Sequence, residues 1–233
     1  MPRIILPVRR YDFDPSTTLA LDPSRTALLL VDVDGEHGEE RRAVIRNAIA
    51  PALEAARQMG LRVLYTHESA AGTGGPADVT RDLIPPAELA PPGPAHWKPK
   101  QPTYDPSVAP RPDEPELPKS SQNGFDGTRT DYYLKTRNVD TIIAVGFWLK
   151  CCLFLTCLGA RWHNYRVILL RNCTCPPGLI EYPDTLDPDN AEGGWMRFVF
   201  VRMFETLVGY TSTSEQLIAA CHDAVPDARG EAD

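Results

Sequence analysis

Six cysteines occur in the 233 residues, and five of them fall between Cys151 and Cys175. Cys151 and Cys152 follow the run DTIIAVGF, a pattern that predicts a buried strand turning near Gly146 into an apolar helix. In the first turn of a helix, unpaired backbone N–H groups and the helix dipole favour negative charge. A thiol placed there loses its proton more easily than a free cysteine, and the same N–H groups can hold an oxyanion. The pattern fits a nucleophilic cysteine, or two small core residues, since free cysteine is commonly buried.

A second position with chemical potential is Asp32, which lies near the end of the apolar run TALLLVDVD at 26–34. Aspartate is almost never fully buried without a partner. A carboxylate at the tip of a buried strand therefore indicates a general base, or a group that orients one. The alternative is an Asx turn or a helix cap, which Asp34 fits better than Asp32.

The third position is Lys119, which follows a proline-rich run and precedes the turn-rich stretch SSQNGFDGT. A lysine beside a thiol and a carboxylate stabilises both anions. An isolated lysine is usually a solvated surface residue. Taken alone, this position leaves both interpretations open.

The strands and helices that position these residues alternate along the chain. Apolar runs predict strands at 26–34, 61–67, 140–147 and 165–171, and helical spacing predicts helices at 39–59, 128–137, 151–163 and 193–208, with a last helix opened by a capping box at Ser212–Glu215. This alternation predicts an α/β fold, a three-layer, doubly wound, mostly parallel sheet with helices on both faces. In such folds the working residues lie at the carboxyl ends of the strands, which include Asp32, His67 and the 146–152 turn.

Proline is concentrated at 85–118, which holds 12 of the 23 prolines. Proline lacks a backbone donor and fixes φ, so this stretch can form neither a long helix nor a central strand. We interpret it as an ordered surface excursion that helps to wall a pocket. It lies within one domain at 26–222, with an N-terminal extension at 1–25 and a flexible tail at 223–233.

Composition and charge argue against several classes of protein. A net charge of −7 makes a nucleic-acid partner unexpected. No apolar run approaches the roughly 20 residues that a membrane span needs, and the N-terminus lacks the apolar segment of a signal peptide. The chain is too long for a secreted disulfide scaffold. We therefore expect reduced thiols, a cytoplasmic location, and no membrane partner.

Three motifs in the right order resemble the isochorismatase-like cysteine hydrolases. This family of amidohydrolases includes nicotinamidases, N-carbamoylsarcosine amidohydrolase, ureidoacrylate hydrolase and biuret hydrolase. The matching positions are Asp32 in LLLVDVDGE, Lys119 and Phe125 six residues apart, and Gly146, Cys152 and Thr156 at intervals of six and four. Cys151 does not have this spacing. The resemblance covers roughly residues 26–217, nearly the whole chain.

The resemblance implies a triad of Asp32, Lys119 and Cys152. In this mechanism Asp32 takes the proton of Cys152, and the thiolate attacks the amide or ureide carbonyl of a small molecule. A thioester forms and water then cleaves it. No metal and no organic cofactor are implied, and we expect a homo-oligomer.

The resemblance also implies the surroundings of the thiol. The oxyanion is expected to be held by the backbone N–H groups of Leu149, Cys151 and Cys152. Independently of the resemblance, the aromatic residues Phe125, Phe147 and Trp148 indicate walls around a small or planar substrate, or else core packing. His67, at the end of a strand, is a further expected substrate contact. Family members often have a non-prolyl cis peptide just after the glycine, here near Phe147–Trp148. The bulky Trp148 and Leu149 depart from the small residues usual in the family, and the Asp and His metal-binding pattern of nicotinamidases is missing.

The segment LLLVDVDGE also resembles the first motif of haloacid-dehalogenase-type phosphatases. There Asp32 would be the nucleophile and Asp34 an acid/base, with Mg²⁺ bound. That family needs an acidic pair after a later strand, and the strands ending at Phe147 and Arg171 are followed by WLKCC and NCTCPP. Two further alternatives are a non-catalytic binding protein on the same scaffold, and a cysteine zinc or redox site, although the cysteine spacings match no common zinc motif.

Overall fold

The computed structural model describes residues 3–11, 17–35, 38–68, 102–119, 121–174 and 194–224. The strands are β1 (Ile4–Pro7), β2 (Thr18–Leu21), β3 (Thr26–Val31), β4 (Arg62–Glu68), β5 (Glu116–Lys119), β6 (Thr141–Gly146), β7 (Arg166–Leu170) and β8 (Tyr210–Ser212). The last six form one sheet in the order β5-β4-β3-β6-β7-β8, and every neighbouring pair is parallel. The carboxyl ends of these strands therefore meet at a single edge of the sheet.

Helices cover both faces of this sheet. They are α1 (Glu39–Val44), which continues through a π-helical turn at Ile45–Ile49 into α2 (Ala50–Gln58), then α3 (Thr130–Lys135), α4 (Cys152–Trp162), α5 (Gly194–Leu207) and α6 (Ser214–His222). The first core lies between the sheet and α1, α2 and α6, and the second between the sheet and α3, α4 and α5. This confirms the predicted α/β fold with a doubly wound parallel sheet.

Strand β3 shows why the central strands read as continuous apolar runs. Successive side chains of a strand point to opposite faces. Leu28 and Leu30 accordingly enter the first core, while Leu29 and Val31 enter the second. Because both faces are covered, all six residues of β3 are buried.

The sheet has two strands that the sequence patterns did not predict, and both lie at its edges. Strand β5 contains Pro118 and pairs only with β4, which an edge strand tolerates because one side needs no hydrogen-bond donor. Strand β8 ends at Ser212, so the predicted capping box was placed one residue too early. The box is formed instead by Thr213 and Gln216.

The N-terminal segment is packed onto the domain. Strands β1 and β2 form an antiparallel pair, and Ile4, Leu6 and Leu21 are buried in the first core. Arg9 pairs with Thr211 of β8 through two backbone hydrogen bonds of 2.8 Å. The described part of this segment thus contributes to the same core as α2 and α6.

The second half of the proline-rich excursion is held by buried polar contacts. The Tyr65 hydroxyl donates to the Val108 carbonyl at 3.0 Å. Arg57 pairs with Glu114 at 2.7 Å, and both side chains are nearly buried. These contacts fix the chain just before β5, and β5 ends at Lys119. Residues 85–101, including Trp97, lie outside the described residues.

Within the described ranges, no helix is both long and apolar enough to cross a membrane.

Candidate active site

Asp32 follows β3 directly and has a left-handed backbone, with φ of 50°. Aspartate adopts this conformation more readily than most residues. Its N–H donates to the Thr66 carbonyl at 2.9 Å, which holds it at the end of β4. The turn also breaks the alternation of β3, because Val31 faces the second core whereas Val33 faces the first. The Asp32 carboxylate is thereby left at the carboxyl edge of the sheet.

Gly146 brings the end of β6 against β3. Its φ is 118°, and a Cβ atom there would lie 2.0 Å from the Val31 carbonyl oxygen. The Phe147 N–H donates to that same oxygen at 2.8 Å. The peptide bond between Phe147 and Trp148 is cis, as the resemblance implied. Only glycine fits this approach, which carries the 147–152 turn beside Asp32.

The three residues singled out from the sequence converge at this edge. Cys152 is the first residue of α4, and its thiol lies close enough to the Asp32 carboxylate for each group to affect the pKa of the other. The Lys119 ammonium, at the end of β5, lies 3.0 Å from Asp32 Oδ2. The Lys119 side chain is 0% exposed and that of Asp32 is 20% exposed. One carboxylate therefore forms an ion pair with a buried cation and lies beside a thiol.

The electrostatics keep the proton on the thiol. Burial raises the pKa of Cys152, the Asp32 charge raises it further, and Lys119 opposes them. Burial also raises the pKa of Asp32 above 3.8, although Lys119 pulls it down. Burial lowers the pKa of Lys119, but the Asp32 and Cys152 charges outweigh it, so the net shift is upward. The expectation that the helix terminus makes this thiol acidic is wrong, because burial and Asp32 dominate.

The backbone hydrogen bonds around the thiol remove one of the three N–H groups that were expected to hold the oxyanion. The Cys151 N–H already donates to the Trp148 carbonyl at 2.9 Å, so it is not available to a substrate. Leu149 and Cys152 donate their N–H groups to no acceptor in the part of the chain that the structure describes. These two N–H groups remain suited to an oxyanion, one of them at the start of α4.

The aromatic residues predicted to contact the substrate occupy different places. Phe147 is fully buried in the first core, and Trp148 is half-buried against it. Phe125 is buried too, and its ring centroid lies 5.5 Å from that of His163. Since His163 directly follows α4, an 11-residue helix that spans about 16 Å, this ring lies at the end opposite Cys152. The structure therefore places Phe125 in the core and does not bring it to the thiol.

Thr156 explains why the segment after Lys119 runs along α4. Its hydroxyl accepts a hydrogen bond from the Gly124 N–H at 2.9 Å. Space at Gly124 is tight, since a Cβ atom would lie 3.0 Å from the Thr156 methyl group, which would have to shift. This contact ties the chain that follows Lys119 to the helix that begins with Cys152.

Arg41 is a residue near this turn that sequence reasoning missed. Its guanidinium carbon lies 4.3 Å from the centre of the Trp148 ring and 5.8 Å from that of Phe147. Among the described residues it has no acidic partner. No sequence signal indicates that α1 crosses the turn after β6, so the stacking of Arg41 on Trp148 could only come from the fold.

Several buried polar atoms at the ends of β3, β4 and β5 have no hydrogen-bond partner in the described residues. They are Asp32 Oδ1, Thr66 Oγ1, His67 Nδ1 and Lys119 Nζ. Lys119 is close enough to Asp32 for an ion pair but is not aligned with it as a hydrogen-bond donor. Buried polar groups normally find partners, so this set is suited to a polar ligand or water. A contact of substrate with His67, which is 8% exposed, stays a prediction.

The described residues contain no group of three or more His, Cys, Asp or Glu side chains placed to hold a metal ion. Cys175, one of the five clustered cysteines, lies outside these residues.

Comparison with known proteins gives one matching family and several solved structures with a similar fold. The model of the isochorismatase domain family matches residues 26–181. A cysteine hydrolase from Pseudomonas syringae pv. phaseolicola 1448A aligns with a TM-score of 0.66 at 23% identity, covering 87% of this chain and 95% of that one. An isochorismatase family protein from Desulfovibrio vulgaris subsp. vulgaris str. Hildenborough gives 0.63 at 18%, covering 85% and 98%. N-carbamoylsarcosine amidase from Thermoplasma acidophilum gives 0.54 at 19%, covering 82% and 97%.

No curated protein matches the chain. The family match covers more than half of the chain, which therefore belongs to the isochorismatase-like hydrolase family. The solved structures share its fold. Nothing in these comparisons supports the phosphatase alternative, because Asp32 and Asp34 fall inside the residues that the isochorismatase family model matches.

Proposed function

We propose that the protein is a cysteine-dependent amidohydrolase that cleaves a C–N bond of a small amide or ureide through a thioester. The observation that carries this proposal is the position of one carboxylate, Asp32, which lies 3.0 Å from the buried Lys119 and beside the Cys152 thiol, whose pKa it raises. A nucleophile within hydrogen-bond reach of its base, with the base held by a third group, is the arrangement that covalent catalysis requires.

In the first step, Asp32 takes the proton of Cys152 as the sulfur attacks the carbonyl carbon. Because the thiol keeps its proton at rest, the base acts during the attack rather than before it. Lys119 compensates negative charge on Asp32 before the transfer and on sulfur as it develops. The tetrahedral oxyanion is held by the N–H groups of Leu149 and Cys152.

In the second step, Asp32 returns the proton to the leaving nitrogen, and ammonia or an amine departs. A thioester then joins Cys152 to the acyl group. Water, deprotonated by the same carboxylate, attacks this thioester and releases the acid. Asp32 and Cys152 end in the protonation states in which they began.

The test is a screen of small amides and ureides for release of ammonia or amine by the purified protein. Cys152→Ala should lower the rate on any hydrolysed compound by at least about 10³-fold, since it removes the group that forms the covalent intermediate. Acid quenching followed by intact-mass measurement should show an acyl adduct on wild type and none on this variant.

Cys221→Ala is the matched control, because it removes a buried thiol from α6, which packs on the other face of the sheet. It should keep the wild-type rate. A Cys152→Ala protein as active as wild type would overturn the proposal. Binding of amides without turnover, by a correctly folded protein, would favour the non-catalytic alternative.

A further inference from the structure

Two thiols meet at the start of α4, and the proposed reaction uses only one of them. The sulfur atoms of Cys151 and Cys152 lie 3.7 Å apart, and both side chains are half-buried. Cys151 takes part in no step of the proposed hydrolysis, and its backbone N–H donates a hydrogen bond to the Trp148 carbonyl. The contact between the two sulfurs therefore requires its own explanation.

The position of the helix boundary is what lets the two sulfurs meet. Adjacent residues inside a helix point about 100° apart and do not face each other. Cys151 lies just outside α4, with φ of −142° and ψ of −110°, whereas Cys152 is its first helical residue. The non-helical backbone of Cys151 turns its side chain toward that of Cys152.

The other thiols in the described residues are not placed to compete in oxidation. Cys157, Cys173 and Cys221 are buried, whereas Cys151 and Cys152 are half-buried. A reactive cysteine is accessible and has a means of losing its proton. Of the two half-buried cysteines, Cys152 is the one whose pKa is raised by the Asp32 carboxylate, which lies beside its thiol and serves as the base.

We propose that Cys151 and Cys152 are a redox modification site, at which a hydroperoxide converts the two thiols into a reversible vicinal disulfide. The consequence for activity rests on the proposed function, because the disulfide removes the sulfur that would attack the substrate. The modification itself rests only on the geometry of the two thiols.

The chemistry balances in two steps. The Cys152 sulfur attacks the terminal oxygen of the hydroperoxide, the O–O bond breaks, and Asp32 relays the thiol proton to the departing alcohol or water. Cys152 becomes a sulfenic acid and the peroxide is reduced by two electrons. Cys151 then attacks the sulfenic sulfur, an S–S bond forms, and hydroxide leaves with the Cys151 proton as water.

Reversibility follows from covalent geometry. A disulfide needs a sulfur–sulfur distance of roughly 2.05 Å and prefers Cα atoms about 5.5 Å apart, whereas neighbouring residues hold them at about 3.8 Å. A bond between adjacent cysteines is therefore strained, and strained disulfides are readily reduced. The pair is expected to reopen under a dithiol reductant.

The test treats fully reduced protein with hydrogen peroxide and follows its mass, independently of activity. Wild type should lose two mass units, and fragmentation of the tryptic peptide at 151–161 should place the bond between Cys151 and Cys152. Dithiothreitol should restore the mass and, where an amide is hydrolysed, the rate. Cys151→Ser should instead collect sulfenic and then sulfinic acid at Cys152, and dithiothreitol should fail to restore most of its rate.

The serine variant is expected to fold, since serine is a favoured residue before the first turn of a helix. Circular dichroism of the untreated variant verifies this, and each protein is compared with its own untreated rate. Cys157→Ala is the control for a bond to the third cysteine of the same peptide, and it should still lose two mass units.

A wild-type protein that collects sulfinic acid without losing two mass units would overturn the proposal. So would a bond that disappears in Cys157→Ala. A protein that forms the predicted bond but hydrolyses no amide would overturn the proposed function and leave the redox site standing.

Discussion

At the scale of single residues, Lys119 is the one whose placement most constrains the chemistry. A lysine side chain with 0% exposure is tolerated only beside a compensating charge, and Asp32 provides it at 3.0 Å. The same pair sets the resting state of Cys152, because Asp32 opposes the thiolate and Lys119 favours it. Stability and reactivity therefore depend on the same ion pair.

Replacing this cation with a neutral side chain of similar length should slow the alkylation of the Cys152 thiol. In Lys119→Met, the pKa of Cys152 rises further, so iodoacetamide should alkylate Cys152 more slowly at pH 7 than in wild type. An uncompensated carboxylate also destabilises the fold by about 3 kcal/mol, measurable by urea unfolding. Lys135→Met, on the exposed face of α3, should leave the alkylation rate unchanged, and an equally fast Lys119→Met would contradict this role.

The raised pKa of Asp32 predicts the pH at which kcat/KM falls on the acid side of its profile. The base must be ionised to take the thiol proton, and burial raises its pKa above 3.8. As pH falls, kcat/KM should therefore decline at a higher pH than an ordinary aspartate would give, and higher still in any active Lys119→Met protein. A kcat/KM profile against pH measures this, and a limb at or below pH 3.8 would argue against Asp32 as the base.

At the scale of elements, the site depends on how closely β6 approaches β3. Gly146→Ala combines a left-handed backbone with a Cβ atom 2.0 Å from a carbonyl oxygen, and this clash involves backbone that cannot rotate away. The variant should lose more than about 3 kcal/mol of unfolding free energy, or fail to fold. Gly60→Ala isolates the backbone part of the cost, because Gly60 has φ of 72° and nothing within 4 Å of its Cβ position.

In urea unfolding, Gly60→Ala should lose only about 1–2 kcal/mol, the cost of a left-handed alanine. Equal losses in both variants would mean that the approach of β6 to β3 is not tight.

Sequence patterns predicted the central strands well because burial on both faces leaves a continuous apolar run. They missed β5 and β8, which are short edge strands with little pattern of their own. Asp32 and Cys152 were found because each follows an apolar strand at recognisable spacing. The occupied N–H of Cys151, the turn of Phe125 into the core and the stacking of Arg41 on Trp148 were not predictable, since each depends on segments distant in sequence.

At the scale of the whole molecule, the two cores share one sheet. Alternate side chains of the central strands pack into the two cores. Loss of the helices on one face would therefore expose strands whose other side chains form the second core. The chain is nevertheless longer than most two-state domains. Unfolding in urea therefore tests whether the two cores are lost together.

The buried cysteines report on this question because they are divided between the cores. Cys157 lies in the second core, and Cys173 and Cys221 lie in the first. A brief pulse of iodoacetamide at increasing urea, followed by peptide mapping, should label all three with one common midpoint, because loss of either core strips the shared strands. Cys152 serves as an internal reference, since its half-buried thiol should already be labelled slowly without urea. Labelling of Cys221 at clearly lower urea than Cys157 would show that α6 and the first core separate before the second, and would refute a single cooperative unit.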